Sequence, residues 1–177
     1  PAIVMRGLSK EVPWPGARCG WIEIYNKNKD KSFARYTKTL HDAKMLEVCS
    51  TTLPQWVLPK LFSDSRYQEY LAGRRRAYQH RADIAHRALS GINGVMVSRP
   101  AGAFYVTVVF DDGVLKDGQK IKIENERVKK IVEEKTNALP PRALDKRFAY
   151  YLMGGKNICV VPLSGFNSAL PGFRMTL

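Results

Sequence analysis

Two cationic side chains, Lys10 and Arg18, lie at the two ends of one short loop between two apolar runs. The runs cover residues 2–5 and 21–25, so the pattern predicts a strand, a loop and a strand that present both cations at one end. A lysine amine condenses with aldehydes, and the planar guanidinium of arginine matches the oxygens of a phosphate. Considered singly, each residue is more simply an exposed charge without chemistry.

The residues around this loop carry a resemblance to a known family. A G-L-x-K pattern ends at Lys10, and a P-G-x-R-x-G-W-I pattern follows at residues 15–22. This arrangement resembles the cofactor-lysine segment of class I/II aminotransferases, which have fold type I and use pyridoxal 5'-phosphate; the tyrosine aminotransferase branch is the most similar. The resemblance implies that Lys10 forms the Schiff base with the cofactor aldehyde. It further implies that Arg18 binds the cofactor phosphate and that Ser9 assists.

Two further motifs extend the resemblance toward the end of the chain. The last strand-like run, residues 173–177, contains one arginine, and in the family this arginine binds the α-carboxylate of the substrate, which implies that role for Arg174. An unpaired buried guanidinium is costly; the alternative is a surface-facing residue on an edge strand. Residues 99–105 resemble the strand entry whose aromatic residue, Phe104, lies near the substrate. Core packing is an equal alternative for Phe104 and the favoured one for Tyr105.

The resemblance implies an α/β (α+β) fold in three parts. Residues 1–53 would form the end of the large cofactor domain, residues 54–90 connecting helices, and residues 91–177 a small domain with a mainly antiparallel sheet. The chain begins without methionine inside an apolar run, which favours a C-terminal fragment. The aspartate for the pyridine nitrogen, the stacking aromatic ring and a phosphate-binding helix would lie upstream. The fragment alone is therefore predicted to be inactive, and the full-length protein to be a homodimer.

The periodicity of apolar residues outlines the remaining elements. It predicts helices over residues 32–46, 54–62, 64–89 and 142–153. Residues 20–26 read as a buried strand and residues 157–163 as another strand. Gly154 and Gly155 are expected to end the last helix. Residues 111–141 depart from the family pattern, and we expect a mobile insertion on the surface.

Composition limits the class of protein. The 177 residues are 45% hydrophobic and 25% charged, as in ordinary globular proteins, and no apolar run approaches the roughly 20 residues that span a bilayer. Three cysteines without a C-x-x-C pair favour buried or half-buried thiols in a reducing compartment, the cytoplasm. His80 and His86 lie about 240° apart around a helix, so no metal site is expected.

Charge and fold leave other functions open. The net charge of +13 raises nucleic acid as a partner, but the excess is spread over residues 27–44, 60–90 and 116–147, which argues against a dedicated nucleic-acid surface. The resemblance implies transfer of an amino group from an amino acid to a 2-oxo acid, with Lys10 moving the proton. A carbon-sulfur lyase or a cyclopropane-carboxylate synthase shares the same motifs. The sequence does not identify the amino acid.

Overall fold

The computed structural model describes residues 1–48 and 50–177. They divide into two compact units, Pro1–Tyr70 and Leu71–Leu177, and both combine helices with antiparallel strands, so the mixed fold class is confirmed. Within these residues no helix combines the length and the apolar character needed to cross a membrane. The three-part division at residues 53 and 90 stays a prediction.

The first unit is a two-stranded ribbon followed by helices. Its elements are β1 (Ala2–Gly7), α1 (Leu8–Glu11), β2 (Gly20–Tyr25), α2 (Lys31–Lys44), α3 (Thr52–Ser63) and the first residues of α4 (Arg66–Ser90). β1 and β2 pair antiparallel from Ala2 opposite Tyr25 to Gly7 opposite Gly20, which confirms the predicted strand, loop and strand. The expectation of a buried β2 is wrong: Ile22 and Tyr25 are exposed, because a two-stranded ribbon covers little of its own surface.

The second unit is built on a four-stranded antiparallel sheet. It contains the remainder of α4, β3 (Val95–Val97), β4 (Tyr105–Phe110), α5 (Glu126–Asn137), α6 (Leu144–Lys156), β5 (Val161–Pro162) and β6 (Gly172–Thr176). The strand order is β3-β4-β6-β5, so β6 lies inside the sheet. Alternate residues of β4, Val106, Val108 and Phe110, form a buried cluster with Phe173 of β6. Phe148 of α6 packs against this cluster and covers that face of the sheet.

The segment between β4 and α6 is part of the folded unit. Ile123 and Val132 are buried together with Tyr151 of α6 in a second hydrophobic cluster. Asn125 starts α5 by accepting a hydrogen bond from the Val128 backbone N–H at 3.1 Å. The expected surface insertion is therefore corrected, because α5 brings its own apolar face to α6.

The predicted end of α6 at Gly154 and Gly155 is also wrong. The helix continues to Lys156, and Asn157 follows in the left-handed conformation with φ 55°. A Cβ on Gly155 would lie 2.7 Å from Cγ2 of Ile121 and 2.9 Å from the Lys122 carbonyl oxygen. The glycine is thus required by close packing inside the helix rather than by its termination.

The strand expected over residues 157–163 is shorter in the structure. Only Val161 and Pro162 pair with β6, and a 3₁₀ turn, Leu163–Phe166, follows directly. Proline has no N–H to continue the ladder, which explains the early end. Cys159, expected to be at least half-buried, is exposed; the same expectation for Cys49 falls outside the described residues.

Candidate functional site

The loop that carries Lys10 is anchored by one buried residue. Leu8 has no exposed surface, and its backbone N–H donates to the Cys19 carbonyl at 3.1 Å. The Leu8 carbonyl accepts from the backbone N–H of Trp14 at 3.0 Å. Lys10, which is exposed, lies two residues after Leu8, and Arg18 lies one residue before Cys19. The loop thus holds the backbones of the two predicted cofactor residues together.

Arg18 is an exposed cation at the end of a 3₁₀ turn, with φ 47°. Its Nη1 donates to the Pro15 carbonyl at 3.1 Å, and among the described residues it forms no ion pair with a carboxylate. Arg6, on the adjacent ribbon, is instead paired with Glu11 at 3.3 Å and Glu23 at 3.4 Å. Arg18 therefore keeps guanidinium donors that can bind an anion.

The carboxylate of Glu23, an acidic residue of the ribbon, is engaged by hydrogen bonds within the ribbon. The Glu23 carboxylate accepts from the Tyr25 hydroxyl at 2.6 Å and from Trp21 Nε1 at 3.1 Å. These hydrogen bonds, with the nearby Arg6 guanidinium, lower the pKa of Glu23, and the same carboxylate raises the pKa of Tyr25. Glu23 thus stays ionised as a partner of Arg6.

Arg174 lies in the second unit, on the interior strand β6. It pairs with Thr107 of β4 and with Val161 of β5. Its guanidinium carbon is 4.1 Å from the centre of the Tyr105 ring and 4.0 Å from that of Phe166. A surface-facing arginine on an edge strand, the alternative drawn from the sequence, is thereby contradicted.

Within the part of the chain that the structure describes, the guanidinium of Arg174 has no partner of opposite charge. Its Nε is buried and, within residues 1–48 and 50–177, has no hydrogen-bond partner, and no carboxylate there forms an ion pair with it. Leaving a buried cationic donor unpaired is unfavourable. The two rings fix the plane of the fork, so the arrangement suits a planar anion such as a carboxylate.

Phe166, which the sequence reasoning missed, is positioned by a buried aspartate. Asp145, 4% exposed at the start of α6, accepts from the Ser164 backbone N–H at 2.8 Å and from the Ser164 hydroxyl at 3.0 Å. These bonds hold the 3₁₀ turn that ends at Phe166. The only signal in the sequence was an aspartate at a helix start, which is usual and does not reveal a contact 19 residues away.

Phe104 contacts other aromatic residues beside Arg174. Its ring centre lies 4.3 Å from that of Tyr105 and 5.9 Å from that of Tyr78. Because Tyr105 also stacks on Arg174, Phe104 is adjacent to the carboxylate-binding candidate. Its assignment to the substrate stays a prediction, since the same contacts serve packing.

The predicted site residues thus fall into two groups. Ser9, Lys10 and Arg18 share one loop of the first unit, whereas Phe104 and Arg174 share one aromatic cluster of the second. Among the described residues no group of three or more His, Cys, Asp or Glu side chains could hold a metal ion.

Comparison with known proteins identifies the family. The model of the class I and II aminotransferases matches residues 1–177, and the chain belongs to that family. An uncharacterized aminotransferase of Methanocaldococcus jannaschii is 47% identical over 175 residues, which are 99% of this chain and 40% of the relative. The tyrosine aminotransferase of Dictyostelium discoideum is 25% identical over 77% of this chain and 32% of its own length. The chain thus spans two fifths or less of these relatives.

Solved structures share the fold. The alanine aminotransferase of Pyrococcus furiosus matches with a TM-score of 0.71 and 21% identity, over 98% of this chain and 37% of that protein. The aspartate aminotransferase of Rhizobium meliloti matches with a TM-score of 0.64 and 21% identity, over 98% and 36%. The chain therefore has the fold that fold type I aminotransferases adopt over this region, and its membership supports a transferase.

Proposed function

We propose that the chain is the C-terminal part of an aminotransferase that uses pyridoxal 5'-phosphate to move an amino group from an amino acid to a 2-oxo acid. The observation that carries the proposal is the Arg174 guanidinium, fixed between two rings and without an acidic partner among the described residues. The proposal includes an upstream part of the same polypeptide, a homodimeric full-length enzyme and the three-part domain division at residues 53 and 90.

The residues of the Lys10 loop fit the cofactor. Lys10 is an exposed amine next to the anchored Leu8, and Arg18 retains donors without a carboxylate partner in the described chain. In the proposed enzyme Lys10 holds the cofactor aldehyde, Arg18 binds the phosphate and the Ser9 hydroxyl assists it. When bound, the cofactor supplies an electron sink for the bonds at the substrate α-carbon.

The chain's own residues perform the positioning and the proton transfer. The guanidinium fork of Arg174 donates hydrogen bonds to both oxygens of the substrate carboxylate, which turns an encounter into an oriented complex. Tyr105 and Phe166 keep that fork in one plane and exclude water from its faces. The Lys10 amine, when it no longer holds the cofactor aldehyde, moves the proton at the substrate α-carbon, and Phe104 contacts the substrate beside Arg174.

Reductive labelling tests the cofactor assignment. The full-length polypeptide is incubated with pyridoxal 5'-phosphate, reduced with borohydride, digested and analysed by mass spectrometry. The adduct is expected on Lys10, and Lys10→Arg should abolish it while Lys27→Arg, an exposed lysine on the same unit, should not. An adduct on another lysine would refute the assignment.

A substrate assay tests the reaction class. The full-length enzyme is supplied with amino acids and 2-oxoglutarate, and both new products are measured. A one-to-one appearance of the new 2-oxo acid and glutamate supports transamination. Release of sulfide and pyruvate from cysteine without a 2-oxo acid acceptor would identify a carbon-sulfur lyase instead. The 177-residue chain alone is expected to bind the cofactor weakly and to show no turnover.

A further inference from the structure

A cavity of about 540 Å³ lies in the second unit, and none of the proposed cofactor or substrate residues is among the residues that line it. Its apolar wall includes Phe110 at the end of β4 with Leu144 and Phe148 on α6. Two cations at its border, Lys116 and Arg147, have no ion pair among the described residues, and no carboxylate of those residues lines it. The volume is within the usual range of small-molecule sites, about 300–1,000 Å³.

The cavity is distinct from the Arg174 cluster because the two lie on opposite faces of the sheet. Successive residues of a strand point to opposite faces, and Phe173 immediately precedes Arg174. The centre of the Phe173 ring lies 5.7 Å from that of Phe148 and 5.9 Å from that of Phe110. Both Phe148 and Phe110 line the cavity. Arg174 is on the other face, stacked on Tyr105.

Two buried polar atoms of cavity residues have unused hydrogen-bonding capacity. The Tyr151 hydroxyl and Arg147 Nε have no partner in the described chain, although Tyr151 is only 4% exposed. The Arg147 guanidinium carbon lies 5.2 Å from the centre of the Tyr151 ring. Buried donors left unpaired are unfavourable, and both residues line the cavity.

The third cation at the border is already neutralised. Lys120 Nζ is 2.9 Å from Glu133 Oε1. This hydrogen bond raises the pKa of Lys120, while the positive charge of Arg147 opposes the rise. Arg147, unlike Lys120, forms no ion pair among the described residues.

We propose that this cavity binds a small organic monocarboxylate with an aromatic or branched apolar body. The apolar body packs against Leu144, Phe110 and Phe148, and the carboxylate accepts hydrogen bonds from Arg147 and the Tyr151 hydroxyl. Inorganic phosphate has no apolar surface that could pack against the apolar wall, and a neutral ligand would leave the Arg147 guanidinium without a counterion. The inference does not rest on the proposed aminotransferase activity.

Titration calorimetry on the full-length polypeptide tests the ligand class with 3-phenylpropanoate, 3-phenylpropanamide and inorganic phosphate. The carboxylate is expected to bind in the cavity. The amide should bind at least about tenfold more weakly because it loses one charge-assisted hydrogen bond, and phosphate should bind more weakly because it makes no contact with the apolar wall. Equal binding of the amide, stronger binding of phosphate, or no heat from the carboxylate at millimolar concentration would overturn the proposal.

Three variants locate the ligand. Arg147→Gln should weaken binding of the carboxylate by about tenfold or more, and Tyr151→Phe should weaken it by a smaller factor. Arg174→Gln should leave it unchanged within about twofold, because the two sites are separate. Circular dichroism and thermal unfolding establish that each variant folds; Tyr151→Phe, which removes one oxygen, decides the outcome if Arg147→Gln does not fold. Loss of binding only in Arg174→Gln would place the ligand at that arginine and refute the cavity.

Discussion

Replacing Arg174 by lysine is the sharpest test of the proposed substrate contact. Tyr105 and Phe166, at 4.1 and 4.0 Å from the guanidinium carbon, hold a planar fork; a lysine keeps the charge there but presents a single point donor. Loss of one charge-assisted hydrogen bond costs about 1.5–3 kcal/mol. At about 1.36 kcal/mol per factor of ten, kcat/KM of the full-length enzyme should fall by about one to two orders of magnitude.

The same experiment separates substrate binding from cofactor retention. Cofactor content, measured by absorbance of the purified Arg174→Lys enzyme, should stay at the wild-type level, because Lys10 and Arg18 belong to a different unit. Arg127→Lys, at an exposed position of α5, is the matched control and should change neither quantity. An unchanged kcat/KM in Arg174→Lys, or loss of cofactor in parallel with activity, would mean that Arg174 has a structural role only.

Three further measurements test the fold that positions these groups. Gly155→Ala should lower the free energy of unfolding by about 1–3 kcal/mol through overpacking. Gly73→Ala in α4, where a Cβ meets no atom within 4 Å, should instead raise the free energy of unfolding by about 1 kcal/mol. Equal effects of the two variants in urea unfolding would contradict the close packing of α6. Asp145→Ala removes both hydrogen bonds to Ser164 and one more from a backbone N–H, so it should lower the free energy of unfolding by about 2–3 kcal/mol. Ser164→Ala should lower it by about 1 kcal/mol. The reverse order of the two variants in thermal unfolding would refute the role of the carboxylate. Hydrogen bonds from Arg66 lower the pKa of Asp64 from 3.8 to about 2. The stabilisation from this pair is therefore present above pH 3.8 and is lost as the pH falls toward 2. An NMR titration that gives a pKa of 3.8 for the Asp64 carboxyl would refute the pair.

Local patterns in the sequence were sufficient for most elements. Apolar periodicity predicted α2, α3, α4 and α6 because apolar residues recur at helical spacing in each segment, and the structure confirms all four helices with shifted ends. The strand with a single embedded arginine was also recognisable, because a charge is unusual at an interior strand position. These features depend on residues close together in the chain.

The remaining features depend on contacts between distant residues. The sequence of Gly154 and Gly155 is typical of a helix end. In the structure these glycines are instead required because Val132 and Ile121, more than 20 residues earlier, pack closely against them. Phe166 looked like a loop residue, and its contact with Arg174 requires the Asp145 to Ser164 hydrogen bonds. No local spacing rule specifies such pairs.

The alternation of β6 gives the two faces of the sheet different chemistry. Phe173 points into the aromatic cluster that borders the cavity, while Arg174 points to the opposite face and its two rings. A change at Phe173 would therefore disturb both sites through the strand itself, whereas changes at Arg147 and Arg174 should act independently. The double variant should thus lose binding at each site by the same factor as the single variants, and a larger or smaller combined loss would mean that β6 couples the two faces.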